Sequence, residues 1–232
     1  MPIARFVALA TLAGFSIASP ALAADANNPT VVELFQSQGC SSCPPANAVL
    51  NSIAGRPDVL ALSFAVTYWD RLGWKDIFAH RAYTARQWEY SKAGRRGNVS
   101  TPQMIINGRG VLVGSNKRQV EAALRTYERT AAGPSIAARA GKIAVAGARA
   151  ARPANVWLVR YDPRVNNVPI RAGENGGRTL PHRNIVRSIH LLGKWSGGAT
   201  AFNVPPARNS IYQNAVLVQD GPGGAILAAR RI

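Results

Sequence analysis

Cysteine is scarce in this chain, with Cys40 and Cys43 the two among 232 residues. So few cysteines exclude a small scaffold held together by several disulfides. They also exclude a four-cysteine zinc site, and a mixed zinc site would need two histidines as well. His80, His182 and His190 lie far from the cysteines in sequence and at no standard ligand spacing from one another. The composition therefore disfavours zinc.

Acidic residues are also few, with 11 against 28 basic residues and a net charge of +17. The imbalance is larger in residues 134–232, with 14 basic and 3 acidic residues, than in residues 24–133, with 13 and 8. The basic residues stand singly, without a dense run or interleaved aromatics, so the sequence disfavours nucleic-acid binding. A solubilising surface is the preferred interpretation, and loose contact with an anionic envelope surface is the alternative.

Long apolar runs are missing as well. The first 23 residues combine Arg5, an apolar run at 6–18 and the small-residue ending Ala21-Leu22-Ala23, which is typical of a secretory signal peptide. That run is too short to span a bilayer, and no later segment reaches the roughly 18 to 20 apolar residues that a membrane helix needs. We expect a cleaved leader at 1–23, export to the periplasm or extracellular space, and no membrane span.

The remaining length, from about Ala24 onward, leaves room for two domains. In residues 24–133 the patterns predict an α/β domain with the order strand, helix, strand, helix, hairpin, helix. In residues 134–232, short alternating runs separated by Gly, Pro and Asn predict a mostly β, sandwich-like domain, with a helix left open at 184–192. The boundary is predicted at Gly133-Pro134.

The second helix carries a candidate start signal. Thr84 and Gln87 have the spacing of a capping box, and Tyr83 and Trp88 have the spacing of a hydrophobic staple. These pairs make Thr84 the predicted N-cap of the helix.

The two cysteines stand three positions apart, after a predicted strand and at the start of a predicted helix. A disulfide across so short a loop stabilises by only about 2 kcal/mol on the chain-entropy model, against nearly 5 for a loop of about 100 residues. Pro44 and Pro45 suit a first helical turn, whose free amides and dipole stabilise a thiolate. We therefore predict Cys40, nearer the solvent, as the nucleophile and Cys43 as the resolving thiol.

The function predicted from this pair is thiol-disulfide exchange on protein thiols and disulfides, with no organic cofactor and with a separate redox partner. The direction, oxidation or reduction, stays open. Two alternatives use the same residues. One is Cu(I) binding or delivery through the two thiolates of Cys40 and Cys43. The other is a non-catalytic binding module with a structural disulfide.

Thr101-Pro102 directly precedes a predicted strand, where a proline costs a ladder hydrogen bond unless it lies at an edge or turn. A cis peptide bond is one explanation, and a trans turn is the other. With the order of elements, this motif resembles thioredoxin-like proteins. The resemblance implies that Pro102 is a cis-proline facing the cysteines. It also implies that Thr101 pairs through its backbone with a substrate strand and tunes the sulfur.

The chain resembles more closely a secreted thioredoxin-like family catalogued as domain of unknown function 1223, over nearly the whole mature length. The matching motifs are VELFQSQGCSSCPP at 32–45, Tyr68-Trp69-Asp70 with Gly73-Trp74-Lys75-Asp76, Thr101-Pro102-Gln103-Met104, and Gly173-Glu174-Asn175 with Gly177-Arg178-Thr179-Leu180. The resemblance implies fold and export. The family often has a histidine and an aspartate where this chain has Ala65 and Thr67, so no proton relay is expected there.

Some further residues are candidates near the cysteines. Glu33, in the apolar strand before Cys40, is a candidate acceptor for the resolving thiol's proton, as a buried carboxylate is in thioredoxins; a solvated or ion-paired Glu33 is the alternative. Tyr68, Trp69 and Trp74 are predicted to form an apolar wall that receives substrate side chains, with core packing as the alternative.

The remaining polar candidates favour structural interpretations. Asp70 and Asp76 are interpreted as turn or cap residues. A polar cluster in the second half indicates either a ligand site or a loop held by its own hydrogen bonds, and the loop is preferred. Its members are Glu174, Asn175, Arg178 and His182.

Overall fold

The computed structural model describes residues 24–129, 133–207 and 209–232. The first half contains β1 (Thr30–Gln36), α1 (Cys43–Ile53), β2 (Val59–Ala65), a short 3₁₀ helix (Asp70–Leu72), α2 (Arg81–Ala93), β3 (Gln103–Ile106), β4 (Gly110–Leu112) and α3 (Lys117–Thr126). This is the order of elements that the sequence patterns predict. The expected leader at 1–23 lies outside the described residues and stays a prediction.

The described part of the second half is built from strands. They are β5 (Ser135–Arg139), β6 (Lys142–Gly147), β7 (Ala154–Asp162), β8 (Asn166–Pro169), β9 (Thr179–His182), β10 (Ile185–Trp195), β11 (Gly198–Asn203), β12 (Gln213–Gln219) and β13 (Ile226–Arg231). The segment left open between helix and strand at 184–192 is therefore strand. The mostly β character predicted for this half is confirmed.

One eight-stranded sheet runs through both halves, in the order β13-β12-β7-β10-β2-β1-β3-β4. The first half supplies a parallel pair, β1 with β2, and an antiparallel edge of β3 and β4. β10 adds to the free edge of β2 in parallel, with Ile185 opposite Ser63. The two halves therefore share a sheet, and the boundary at Gly133-Pro134 stays a prediction.

The second half does not form the separate β-sandwich that the sequence predicts. Most strands of the second half extend the sheet of the first half, because β2 offers an edge whose backbone groups need partners. A separate three-stranded sheet, β11-β6-β5, packs over part of the large sheet. Its apolar residues Ile143 and Val145 meet Val156 and Val216 in one buried cluster. The fold is thus mixed α/β with one large mixed sheet and smaller antiparallel sheets.

The two faces of β1 pack against different helices, because successive side chains of a strand point to opposite sides. Val31 and Phe35 share a core cluster with Tyr83 and Tyr90 of α2. The neighbouring residues of the strand, among them Leu34, belong instead to the cluster built on α1. The sheet therefore lies between α1 and α2.

The N-cap of α2 lies four residues before the N-cap that the sequence predicts. His80 is the N-cap and accepts a hydrogen bond from the backbone N–H of Ala82 at 3.1 Å. Thr84 lies inside the helix, and its hydroxyl oxygen accepts from the backbone N–H of Thr67 at 3.0 Å. The predicted capping box and staple are wrong. Gln87 is buried, and its side-chain amide donates to the Ser100 carbonyl and does not cap the helix.

The turn between β3 and β4 is tight against the second half. Asn107 and Gly108 both have positive φ values, 47° and 69°. A Cβ atom at Gly108 would collide with the carbonyl oxygen of Gly224. The position therefore requires glycine both for its backbone conformation and for this close approach.

No helix in the described part of the chain is long and apolar enough to cross a membrane.

Candidate functional site

The cysteines lie where the loop after β1 turns into α1. The backbone N–H of Cys40 donates to the Ser37 carbonyl at 3.2 Å, and the N–H of Cys43 donates to the Cys40 carbonyl at 3.1 Å. Pro44 and Pro45 occupy the first helical turn, where missing N–H donors cost nothing. Both thiols are free, with exposed fractions of 1% for Cys40 and 0% for Cys43.

The two thiols differ in acidity. The pKa of Cys40 is lowered to about 7, chiefly because the Cys43 thiol donates a hydrogen bond to its sulfur; burial opposes this, and donors at Thr101, Ser42 and Cys43 assist. Burial and the neighbouring Cys40 raise the pKa of Cys43 well above its ordinary value. The arrangement therefore pairs an ionisable thiol with a protonated donor.

Thr101 lies beside the cysteine pair, and the peptide bond between Thr101 and Pro102 is cis. Donation from the Thr101 hydroxyl lowers the pKa of each thiol. Trp69 donates its indole N–H to the same hydroxyl oxygen at 2.7 Å. Thr101 therefore links an aromatic side chain to the reactive sulfur.

The three predicted aromatic residues take two different positions. Trp69 and Tyr68 lie beside Thr101 and the thiols, and burial raises the pKa of the Tyr68 phenol to about 12. Trp74 instead donates its indole N–H to the Gln38 side-chain oxygen at 2.9 Å and packs with the apolar residues of β8 and β9. Trp74 thus supports the cysteine loop.

Asp76 fixes the same loop and is more than a turn residue. Its carboxylate accepts from the backbone N–H of Gln38 and from that of Phe78, each at 2.8 Å. The residue is 2% exposed, and burial raises its pKa to about 6. The backbone before Cys40 is therefore tied to the loop after β2.

Glu33 does not serve the cysteines, and the prediction that it accepts the resolving thiol's proton is wrong. It lies on the face of β1 that packs against α2, whereas Cys43 begins α1 on the opposite face. Its carboxylate is paired with Arg86 at 2.6 Å and also accepts from the Tyr90 hydroxyl. The ion-paired alternative is the observed one.

Ala65 and Thr67 carry no titratable side chain at the positions where the resembled family often has histidine and aspartate. The Ala65 carbonyl accepts from the backbone N–H of His80 at 3.3 Å, and the Thr67 hydroxyl bonds to that of Thr84 at 3.0 Å. Both positions hold the start of α2.

The contribution of the second half to this site was missed from the sequence. Asn175 donates its side-chain amide to the carbonyls of Gln38 and Cys40, at 2.8 Å and 2.9 Å. Glu174 accepts from the backbone N–H of Ser41 at 2.9 Å. The preferred interpretation, a loop held only by its own hydrogen bonds, is therefore wrong for these two residues. The Gly-Glu-Asn motif was the only signal available.

His182, from the same polar cluster, lies elsewhere. It is 1% exposed, and its ring packs edge-on against Phe78 with centroids 6.0 Å apart. Both ring nitrogens are buried without a hydrogen-bond partner. Burial lowers the pKa of His182 to about 4, so the ring is neutral at physiological pH.

The fold and the site define a mixed α/β protein with a buried dithiol at a helix N-terminus. The chain belongs to the family described as protein of unknown function DUF1223, whose model matches residues 31–219. This confirms the family resemblance seen in the sequence motifs.

The chain is similar to solved structures over most of its length. Protein AGR_C_4864 from Agrobacterium tumefaciens is 30% identical, with a TM-score of 0.70 over 88% of this chain and 93% of that one. HBP35 of Porphyromonas gingivalis is 11% identical, with a TM-score of 0.55 over 89% of this chain and 75% of that one. At 11% identity the likeness concerns the fold alone. No curated protein matches the chain.

Proposed function

We propose that the chain is an exported, thioredoxin-like thiol-disulfide oxidoreductase that acts on protein thiols and disulfides. Cys40 is the nucleophile and Cys43 the resolving thiol. The observation that carries the proposal is the difference between the two thiols: the Cys43 hydrogen bond helps lower the pKa of Cys40 to about 7, while burial raises that of Cys43. At neutral pH a large fraction of Cys40 is thiolate, the form that attacks disulfides.

The surroundings of the thiols support the same proposal. The order of elements along the first half, with α1 starting at Cys43, is the order by which the sequence resembles thioredoxin-like proteins. The cis bond before Pro102 lies next to the pair, as it does in that fold. Thr101 supplies a hydroxyl donor, and Trp69 and Tyr68 supply apolar surface beside it.

In the reducing direction, the Cys40 thiolate attacks one sulfur of a substrate disulfide. A Cys40–substrate disulfide forms and the other substrate sulfur leaves as a thiolate. Cys43 then loses its proton to that leaving group or to solvent and attacks the Cys40 sulfur. The Cys40–Cys43 disulfide forms and the second substrate thiol is released. Two electrons pass from the pair to the substrate, and the same steps in reverse oxidise a dithiol.

Access to the nucleophile is restricted. Because Cys40 is 1% exposed, a protein substrate must displace a neighbouring side chain before two sulfurs can meet. Trp69 lies beside this path, since its Cβ is 3.7 Å from the position a Cβ would take at Gly39. We expect the proposed substrates to be flexible polypeptide segments that fit beside Trp69 and Thr101.

The first test is the reduction potential of the pair. The protein from Ala24 onward is equilibrated with glutathione buffers, and its free thiols are trapped and counted. A value between about −270 and −120 mV places the pair among exchange catalysts. A value well below about −300 mV marks a stable structural disulfide, overturns the proposal and favours the binding module.

The second test assigns the roles of the cysteines. With a protein disulfide such as insulin and a chemical reductant, Cys40→Ser abolishes turnover. Cys43→Ser traps a mixed disulfide that is visible on a non-reducing gel. Full exchange activity of Cys40→Ser would show that the nucleophile is assigned wrongly.

Cu(I) binding is the second candidate, favoured by two free, buried thiols that lie close enough for each to shift the pKa of the other. Within the described ranges, no group of three or more His, Cys, Asp or Glu residues is placed to hold a metal ion. The candidate therefore depends on the two sulfurs. Stoichiometric Cu(I) uptake by the reduced protein, and none by the oxidised protein, would support it; no uptake by either would exclude it.

A further inference from the structure

The connection between β8 and β9 forms a compact loop that docks on the cysteine loop. Its backbone is closed by hydrogen bonds from Ile170 N–H to the Arg178 carbonyl at 2.8 Å and from Gly177 N–H to the Ile170 carbonyl at 2.9 Å. Trp74 and Phe78 pack against the apolar residues of these strands. We call residues 170–178 the docking loop.

Asn175 is the buried centre of the docking loop, with an exposed fraction of 0%. The orientation of its side-chain amide is set from both ends. The NH₂ group donates to the carbonyls of Gln38 and Cys40, and the amide oxygen accepts from the Arg178 guanidinium at 2.7 Å. Asn175 thus spans the cysteine loop on one side and its own loop on the other.

These contacts act on the backbone that carries the nucleophile. Most first-turn carbonyls of a helix have partners four residues ahead, but the carbonyl of Gln38 lies before the helix and needs a donor from elsewhere. Asn175 supplies that donor and a second one to Cys40. Glu174 holds the adjacent residue, Ser41, through its backbone N–H. Three residues of the cysteine loop, 38, 40 and 41, are therefore held by hydrogen bonds with the second half of the chain.

From this geometry we infer that Asn175 is a positioning residue for Cys40: it holds the cysteine loop in the conformation in which Cys43 and Thr101 donate to the Cys40 sulfur. This inference rests on the proposed function and deepens it, because it assigns the second half a task in the chemistry. Without the two donated bonds, the carbonyl of Gln38 would turn toward water, and the carbonyl of Cys40 would keep only the bond from the Cys43 N–H. The cysteine loop would then carry the Cys40 sulfur away from its donors.

The test compares Asn175→Leu with Asn51→Leu. Leucine has a branched side chain with the same number of heavy atoms as asparagine, and it cannot donate a hydrogen bond. Asn51 is a matched control, because it also donates to this hairpin, at the Pro181 carbonyl at 3.0 Å, but does not touch residues 38–41. The titration of Cys40 is followed by the ultraviolet absorbance of the thiolate in the reduced proteins, and thermal unfolding is recorded for each.

We expect the titration midpoint to stay at about 7 in the wild type and in Asn51→Leu. In Asn175→Leu it rises by about one pH unit, so that the thiolate fraction at pH 7 falls about fivefold. The reduction potential falls as well, because the reduced form loses stabilisation. If Asn175→Leu does not fold, Asn175→Ala, which leaves room for a water molecule, takes its place with the same expected direction.

The possible failures are distinguishable. The proposed function itself would be overturned by a wild-type titration midpoint near 9 together with a reduction potential well below about −300 mV, the value of a structural disulfide. A wild-type midpoint near 7 that Asn175→Leu and Asn175→Ala leave unchanged would overturn the positioning role alone. A rise of equal size in Asn51→Leu would also overturn it, because the effect would then come from hairpin docking in general.

Discussion

Trp69 and Thr101 are joined by a hydrogen bond of 2.7 Å from the indole N–H to the hydroxyl oxygen. A hydroxyl has one proton to donate and lone pairs to accept. Because the indole occupies an accepting position, the proton of Thr101 is free to point at the cysteine sulfurs, where it lowers the pKa of Cys40. An aromatic residue of the loop after β2 therefore orients the donor beside the nucleophile.

This relationship predicts the effect of removing the hydroxyl. In Thr101→Val the pKa of Cys40 rises from about 7, because one donor to the thiolate is lost. The rise is up to about one pH unit, since a hydrogen bond contributes about 0.5–1.5 kcal/mol and one unit is 1.36 kcal/mol. Thiolate absorbance against pH measures it. Thr101→Ser keeps the donor and is the control; equal midpoints for Val and Ser would contradict the prediction.

Cys43 is the larger contributor to the acidity of Cys40, so its removal is expected to have the larger effect. In Cys43→Ala the pKa of Cys40 rises further than in Thr101→Val, because the strongest donor to the thiolate is gone. Cys43→Ser keeps a hydroxyl in place of the thiol and holds the midpoint near that of the wild type. The same absorbance titration checks both variants. A midpoint of about 7 in Cys43→Ala would show that the thiol-to-thiol bond is unimportant.

We expect the Glu33–Arg86 ion pair to contribute to the stability of the fold and to have no effect on the reactivity of Cys40. Both side chains are nearly fully buried, so Glu33→Gln leaves a buried guanidinium without its counter-charge. Such a loss costs about 3–5 kcal/mol of unfolding free energy, measured by chemical denaturation. The Cys40 titration stays unchanged, since Glu33 lies on the other face of the sheet.

The control for this pair is Asp58→Asn, which removes a partly exposed partner of Arg56. It costs less than about 1 kcal/mol, because water screens such pairs. The prediction would be contradicted if Glu33→Gln had normal stability but resolved the mixed disulfide slowly. That result would indicate that Glu33 accepts the proton of Cys43 after all.

His182 makes the protein sensitive to acid. Its pKa is lowered by burial from 6.5 to about 4, so between these values the unfolded chain binds a proton that the folded chain does not. The contribution of His182 to the unfolding free energy therefore falls as the pH drops from about 6.5 to 4. His182→Leu removes this loss, which is on the order of 3 kcal/mol. Denaturation curves at pH 7 and pH 4 test the difference between the two proteins, and equal pH dependence would contradict it.

The order of elements in the first half could be predicted from the sequence because it depends on local patterns. Apolar runs, helical spacing and the Asn107-Gly108 turn are properties of neighbouring residues. The start of α2 was misplaced, because Thr84 has the local appearance of an N-cap and yet bonds to Thr67 in the folded chain. A local signal was outweighed there by a tertiary contact.

By itself the sequence determined that two thiols stand at the start of a helix that follows a strand, because spacing and the two prolines act locally. Only the tertiary structure decided which face of β1 carries Glu33, because that strand is buried on both sides and shows no polar face. It also decided that β10 pairs with β2 and that Asn175 reaches Cys40, 135 residues away. An edge strand or a carbonyl accepts any partner that the rest of the fold brings to it, and the local pattern does not name that partner.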